Sequence, residues 1–110
     1  MKITKTKKYT LIKPSSEVFS EFLKKLNLEE NSLKNEHLII DISEIFNIDS
    51  INLNVFLPIS KQHKQNGTSF VIIFKETFEE DLLDEMDIVP TFTEALDIIE
   101  MDTISRDLGF

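Results

Sequence analysis

The chain of 110 residues contains no cysteine, no tryptophan, two glycines and three prolines. The absence of cysteine excludes disulfide bonds, thiolate metal sites and cysteine nucleophiles. The two isolated glycines, Gly67 and Gly109, do not form a glycine-rich loop that would cradle a nucleotide. No apolar run approaches the roughly 18 residues of a membrane-spanning helix, so we expect a cytoplasmic protein without membrane contact.

Basic residues are in deficit, with 12 Lys and Arg against 20 Asp and Glu and a net charge of −8. Residues 1–37 contain eight Lys against five acidic residues, a balance of +3, whereas residues 38–110 contain four basic against fifteen acidic residues, a balance of −11. Such a negative surface repels phosphate backbones, so nucleic acid is not an expected partner. The basic cluster lies in a predicted edge hairpin, where lysines discourage pairing between sheets; its members are Lys2, Lys5, Lys7 and Lys8.

Residues with catalytic or metal-binding chemistry are sparse. The two histidines, His37 and His63, match no metal-binding motif, and we expect both to be solvated surface residues. The acidic run at residues 79–81 lacks the glycine-centred oxygen pattern of a calcium loop and predicts a solvated surface. The sequence therefore predicts no enzymatic activity, no catalytic residue, no cofactor and no metal site.

Two apolar runs, residues 37–43 and 69–74, flank the segment 49–67. This order predicts two buried parallel strands joined by a crossover helix. Pro58 conflicts with a regular helix from Ser50, so we expect the helix to be kinked or to begin near Asn54.

Asp41 interrupts the first apolar run near its C-terminal end. Carboxylates at such positions commonly brace the following loop through local backbone hydrogen bonds. The alternative is a functional role at the carboxyl edge of the sheet, where open α/β folds place their sites.

The N-terminal part of the chain predicts a hairpin of strands followed by one helix. Residues 1–13 have the composition of two short strands, and Pro14 ends the second. Ser15 or Ser16 is expected to cap a helix that extends to about Leu28. The polar segment after this helix predicts a loop.

The C-terminal part predicts two helices around a short strand. The acidic residues 75–87 contain a few apolar residues at the spacing of a short amphipathic helix, and residues 88–89 predict the last strand. Thr91 and Glu94 match a capping box at the start of a helix predicted over residues 92–108. The predicted apolar side of this helix comprises Ala95, Ile98, Ile99, Met101, Ile104 and Leu108.

These elements predict one α/β domain over residues 1–110. We expect a mixed sheet of about four to five strands with a parallel core, covered by about four helices. The length is sufficient for one modest hydrophobic core.

This order of elements, together with several short motifs, resembles the STAS domain, the family of bacterial anti-sigma factor antagonists. The resemblance covers nearly the whole chain. In the family, a strand like residues 38–43 leads into a loop that reads Asp-Ser-(Ser/Thr)-Gly-Leu. The matching positions are Asp49, Ser50 and Leu53 in the loop, Asn66 and Gly67 at the helix end, residues 70–73 in the next strand, and residues 89–91 and 94–96 near the last helix.

The sequence departs from the family pattern at the position of the expected function. Ile51 stands where the family has a second Ser or Thr, Asn52 stands where it has Gly, and Pro58 is unexpected within the helix. In the family, a partner kinase that doubles as the anti-sigma factor phosphorylates a hydroxyl in this loop. The resemblance implies that Ser50 inherits this role, and a phosphate there would meet the free amides of a helix N-terminus. The alternative is that Ser50 only caps the helix.

We therefore expect a non-enzymatic, protein-binding regulatory module that acts through residues 45–53 and the start of the following helix. Its partner would be an anti-sigma factor or a kinase-like regulator, as the resemblance implies. Apolar side chains would supply contact area and polar ones specificity, although the isoleucines are equally compatible with burial in the core. The predicted binding residues are Phe46, Ile48, Asp49, Ser50, Ile51 and Asn52.

The alternative function is a structural subunit without a phospho-switch. In this hypothesis the C-terminal helix and the apolar terminal residue Phe110 pack against a second copy and form a homodimer.

Overall fold

A computed structural model of the protein describes residues 1–45, 50–76 and 78–109, with the side chains of residues 50–52 outside this description. The described residues form a five-stranded sheet in the order β1-β2-β3-β4-β5. Its strands are β1 (Lys2–Lys5), β2 (Thr10–Lys13), β3 (Leu38–Asp41), β4 (Phe70–Ile73) and β5 (Asp87–Val89). The β1–β2 pair is antiparallel and the other three pairs are parallel, which confirms the predicted mixed sheet with a parallel core.

The described residues contain three α-helices, α1 (Phe19–Leu33), α2 (Leu57–Gln65) and α3 (Phe92–Asp107). Two 3₁₀ helices, Ser50–Phe56 and Glu80–Asp84, complete the set. The predicted count of about four helices is therefore slightly too high, because the acidic segment forms only the short second 3₁₀ helix. Leu82 is buried there but its neighbour Leu83 is half exposed, so the apolar stripe is too narrow to hold a longer helix on the sheet.

One face of the sheet carries the main core. Ile12, Ile40, Ile72 and Ile88 form a row of paired positions across β2 to β5, and all four are buried. Successive parallel strands joined by right-handed crossovers place their connecting helices on the same face. Helices α1 and α2 and the second 3₁₀ helix accordingly pack on this row, whereas α3 covers the opposite face with Ala95 and Ile99.

Helix α1 is longer than the sequence prediction and begins differently. It starts after Val18 without a side-chain cap, so neither predicted serine caps it. It continues five residues beyond Leu28, which is 83% exposed, because Leu33 is buried in the core and holds the last turn.

The two serines are instead part of a loop organised by Glu17. The Glu17 carboxylate accepts hydrogen bonds from the backbone amides of Ser15 (2.7 Å) and Ser16 (3.1 Å) and pairs with the Met1 ammonium and with Lys25. These donors hold the pKa of Glu17 well below its ordinary value. Edge strand β1 is thereby tied to the start of α1.

The proline conflict is resolved by a change of helix type. The chain forms a 3₁₀ helix from Ser50, and the α-helix begins only at Leu57, which places Pro58 in its first turn. At that position the missing proline amide has no intrahelical acceptor to lose. The expected late start is confirmed, although the N-cap is Phe56 rather than Asn54. Gly67 ends the segment with a φ of +76°, a conformation that favours glycine.

The capping box predicted at the start of α3 is confirmed for Thr91, but the Glu94 carboxylate accepts from the Thr91 hydroxyl and not, among the described hydrogen bonds, from its backbone amide. The Thr91 hydroxyl accepts from the Glu94 backbone amide at 3.2 Å and donates to the Glu94 carboxylate at 3.1 Å. No helix in the described part of the chain is long and apolar enough to cross a membrane.

Candidate partner-binding surface

The predicted binding loop follows the end of β3 at the carboxyl edge of the sheet. At the end of β3, Asp41 accepts hydrogen bonds from the backbone amide of Ser43 at 3.0 Å and from its hydroxyl at 2.6 Å. The Ile42 amide binds the Ile73 carbonyl at 3.1 Å, and the Ile45 amide binds the Ile42 carbonyl at 3.2 Å. Asp41 therefore braces the loop, as one of the two sequence interpretations expected.

Half of the predicted binding residues lie outside the described part of the chain, and the other half are described only in their backbone. Phe46, Ile48 and Asp49 are not described at all. Ser50, Ile51 and Asn52 have a described backbone, which forms the first turn of the 3₁₀ helix Ser50–Phe56. Their roles stay predictions.

The rest of this 3₁₀ helix and the start of α2 have one buried and one exposed side. Leu53 and Phe56 are fully buried in the main core. Asn54 and Pro58 are exposed, and Val55 is 45% exposed. We call Asn54, Val55 and Pro58 the junction surface. It lies at the start of the helix that the sequence interpretation included in the binding surface, although that interpretation named none of these three residues.

His63 is not a surface residue, so that prediction was wrong. Its side chain is 0% exposed and its ring stacks on Phe70, with centroids 5.6 Å apart. Its Nδ1 lies 2.7 Å from the Thr68 hydroxyl, and its Nε2 lies 3.3 Å from a carboxylate oxygen of Glu30 on α1. The pair is close but poorly aligned as a hydrogen bond, and neither Glu30 oxygen has another partner among the described residues.

His37 is also less exposed than predicted and belongs to a second polar cluster. Its Nδ1 accepts a hydrogen bond from the Ser69 backbone amide at 3.0 Å. Burial, and next the nearby Arg106 guanidinium, lower the pKa of His37. The Ser69 hydroxyl donates to Asp102 at 2.8 Å and accepts from Arg106 at 3.2 Å.

This second cluster brings together a serine, a histidine and an aspartate, the residue types of a hydrolase triad. In a triad the serine hydroxyl is hydrogen-bonded to histidine, whose other nitrogen is held by the carboxylate. Here the Ser69 hydroxyl binds Asp102 directly, and His37 accepts from a backbone amide instead. The connectivity is that of a structural tie between the start of β4 and α3.

Asp87 lies beside this cluster, partly buried at the start of β5. Burial, and next the neighbouring Asp102, raise the pKa of Asp87 above its ordinary value of 3.8. A carboxyl group whose pKa is raised by folding destabilises the folded state as pH rises. The loss of stability accumulates between the unfolded and the folded pKa and is complete above the folded pKa.

Asp87→Asn is therefore expected to raise the melting temperature at pH 7. The gain should disappear as pH falls through the ordinary aspartate pKa of 3.8, because Asp87 then becomes protonated in the unfolded as well as in the folded state. Thermal unfolding across this pH range tests the expectation. Asp84→Asn, at an exposed neighbouring position, is the matched control and should show no such gain. An equal gain for both variants would trace the effect to net charge rather than to burial.

Among the described residues, no group of three or more His, Asp or Glu side chains is arranged to hold a metal ion. In the second cluster the His37, Asp102 and Arg106 side chains each bind Ser69, whereas His63 Nε2 and both Glu30 oxygens form no hydrogen bond among the described residues.

Comparison with known proteins identifies a fold but no family. No family model matches the chain, and no curated protein matches it significantly. Among solved structures, the chain is similar to the NMR structure of the protein TM1081, with a TM-score of 0.60 and 22% sequence identity. The match covers 89% of this chain and 86% of TM1081. At this identity the likeness shows the α/β fold alone.

Proposed function

We propose that the protein is a non-enzymatic regulatory module of the STAS type, which binds a protein partner through residues 45–53 and the junction surface. The observation that carries the proposal is that the segment between the end of β3 and Leu53, which contains the divergent family motif, is held at both of its ends. Ser43 and Asp41 brace the chain as it leaves β3, and the motif residue Leu53 is anchored in the core. The loop between them is thus fixed at both ends on a rigid scaffold, as binding loops commonly are.

The junction surface supports the same assignment. Val55 and Pro58 are apolar and exposed directly after the motif, and Asn54 supplies an amide beside them. A small apolar patch with a polar neighbour suits transient protein contact more than a small-molecule site, which is normally concave.

Ser50 is the proposed regulatory position within this surface. Its backbone begins the 3₁₀ helix. Phosphorylation by a kinase-like partner would add close to two negative charges to a protein that already carries −8. Repulsion and desolvation of that phosphate would weaken binding to an acidic or apolar partner surface.

Affinity capture from native cell extract, followed by mass spectrometry, tests the proposal. Wild type and Ser50→Ala are expected to capture a kinase-like or sigma-regulating protein, and Ser50→Asp to capture at least about tenfold less. Ser20→Asp adds the same charge at an exposed position on α1 and should capture normally.

Each other outcome removes a defined part of the proposal. Equal capture by Ser50→Asp and wild type would keep the binding module but reduce Ser50 to a capping residue. Failure of wild type to capture any protein would contradict the binding module itself and favour self-association.

A further inference from the structure

Helix α3 exposes an apolar stripe on the side away from the sheet. Met101, Ile104 and Leu108 are 63%, 52% and 65% exposed. Their spacing of three and four residues places them on one side of the helix. Ala95 and Ile99 are buried on its other side. The prediction that all these residues share one apolar side was therefore wrong, and α3 is apolar on two faces.

A groove runs beside this stripe, between α3 and the turn that joins β1 to β2. Its volume is about 560 Å³. Tyr9 forms part of its wall and is held by an edge-on contact with Phe92 on α3, with ring centroids 5.6 Å apart. Leu96 and Ile99 line the α3 side. Ile104 lines the groove and also belongs to the stripe, so the two form one continuous apolar surface.

Opposite charges accompany the two parts of this surface. Lys7 and Lys8 line the groove, and neither side chain forms an ion pair with any described residue. Asp97 and Asp107 are exposed on α3, the first about one turn before Met101 and the second next to Leu108. The groove thus has a basic edge at Lys7 and Lys8, although Glu100 on α3 also lines it, and acidic side chains lie beside the stripe.

We propose that this surface binds a second copy of the chain, with the stripe of each protomer seated in the groove of the other. Two-fold symmetry requires each copy to contribute both complementary parts, and this chain carries both. Both copies carry a net charge of −8, so long-range repulsion opposes their association. The local contact favours it, because Lys7 and Lys8 of one copy attract the acidic residues beside the stripe of the other.

The proposed dimer is independent of the proposed function. Helix α3 lies on the opposite face of the sheet from α1 and α2, so a second copy there leaves the junction surface open. The contact involves one helix about 24 Å long and one groove. An interface of this size belongs to the small, transient class, so we expect dissociation at micromolar concentrations.

Sedimentation velocity on the purified chain, from about 1 µM to about 500 µM, tests the dimer. We expect a reversible monomer–dimer equilibrium that Ile104→Glu shifts at least tenfold toward monomer. Leu28→Glu changes an even more exposed leucine on α1 and should dimerise like wild type. A wild type that stays monomeric throughout, or an Ile104→Glu variant that dimerises normally, overturns the proposal. Circular dichroism verifies that each variant is folded.

A charge exchange tests the arrangement of the two copies. Lys7→Glu with Lys8→Glu makes the groove acidic, and Asp97→Lys with Asp107→Lys makes the stripe basic. Each double variant alone brings like charges together and should dimerise at least tenfold more weakly than wild type. An equimolar mixture restores opposite charges at both contacts and should form a heterodimer of nearly wild-type affinity. A mixture no tighter than either variant alone contradicts this pairing of stripe and groove.

Discussion

His63→Ala is expected to lower the free energy of unfolding by about 3–5 kcal/mol, since removal of one partner from a buried pair leaves the other uncompensated. The Glu30 carboxylate has no alternative partner among the described residues, and the lost ring also leaves a cavity against Phe70. Urea unfolding monitored by circular dichroism measures the change.

The hydrogen bonds around His63 define a matched control. The Thr68 hydroxyl donates to the His63 carbonyl at 3.2 Å, so it accepts from Nδ1–H at 2.7 Å. Nε2 is then the ring nitrogen that faces the Glu30 carboxylate. Glu30→Gln supplies an N–H donor to a neutral Nε2 and is expected to change stability by less than about 1.5 kcal/mol. A cost for Glu30→Gln as large as that of His63→Ala would contradict this expectation, because it would show that the negative charge of Glu30 is required.

The position of His63 was readable in part from the sequence. Phe56, Ile59 and His63 follow the helical spacing of three and four residues, which predicts that His63 continues a buried stripe. The flanking Lys61 and Lys64 concealed this signal by making the helix end look uniformly polar. Glu30 similarly occupies an inward position on α1, four residues after the buried Leu26. What the sequence cannot supply is the meeting of the two helices, because it depends on contacts between residues more than thirty positions apart.

The sheet was more predictable than the surfaces. Its strands are recognisable in the sequence as short runs rich in β-branched residues and bounded by polar residues. Ile12, Ile40 and Ile72 belong to three of these runs and are aligned in register across the sheet. The function of α3 was less accessible. The sequence identifies the apolar residues of this helix. Periodicity alone does not separate those that are buried against the sheet from those that are exposed. Only the structure shows that Ile99 is buried against the sheet whereas Met101 is exposed.

Phe56→Ala is expected to cost about 3–5 kcal/mol of unfolding free energy, as large aromatic truncations in cores do. Phe56 is fully buried at the point where the 3₁₀ helix becomes α2. Its ring contacts Phe19 edge-on with centroids 6.0 Å apart and lies 6.1 Å from the ring of Phe70. It therefore joins α1, α2 and β4 at the base of the junction surface. Chemical unfolding and capture from extract are measured on the same variant.

Val55→Ala is the matched control, one residue away on the exposed side. It should change stability by no more than about 0.5 kcal/mol, because exposed positions without special contacts tolerate truncation. If the junction surface binds the proposed partner, Val55→Ala reduces capture without loss of stability, whereas Phe56→Ala reduces both. Normal capture by Val55→Ala would remove Val55 from the binding surface. The proposed surface requires this segment to have one buried side, which stabilises the fold, and one exposed side, which binds the partner. A stability loss for Val55→Ala comparable to that for Phe56→Ala would contradict this division.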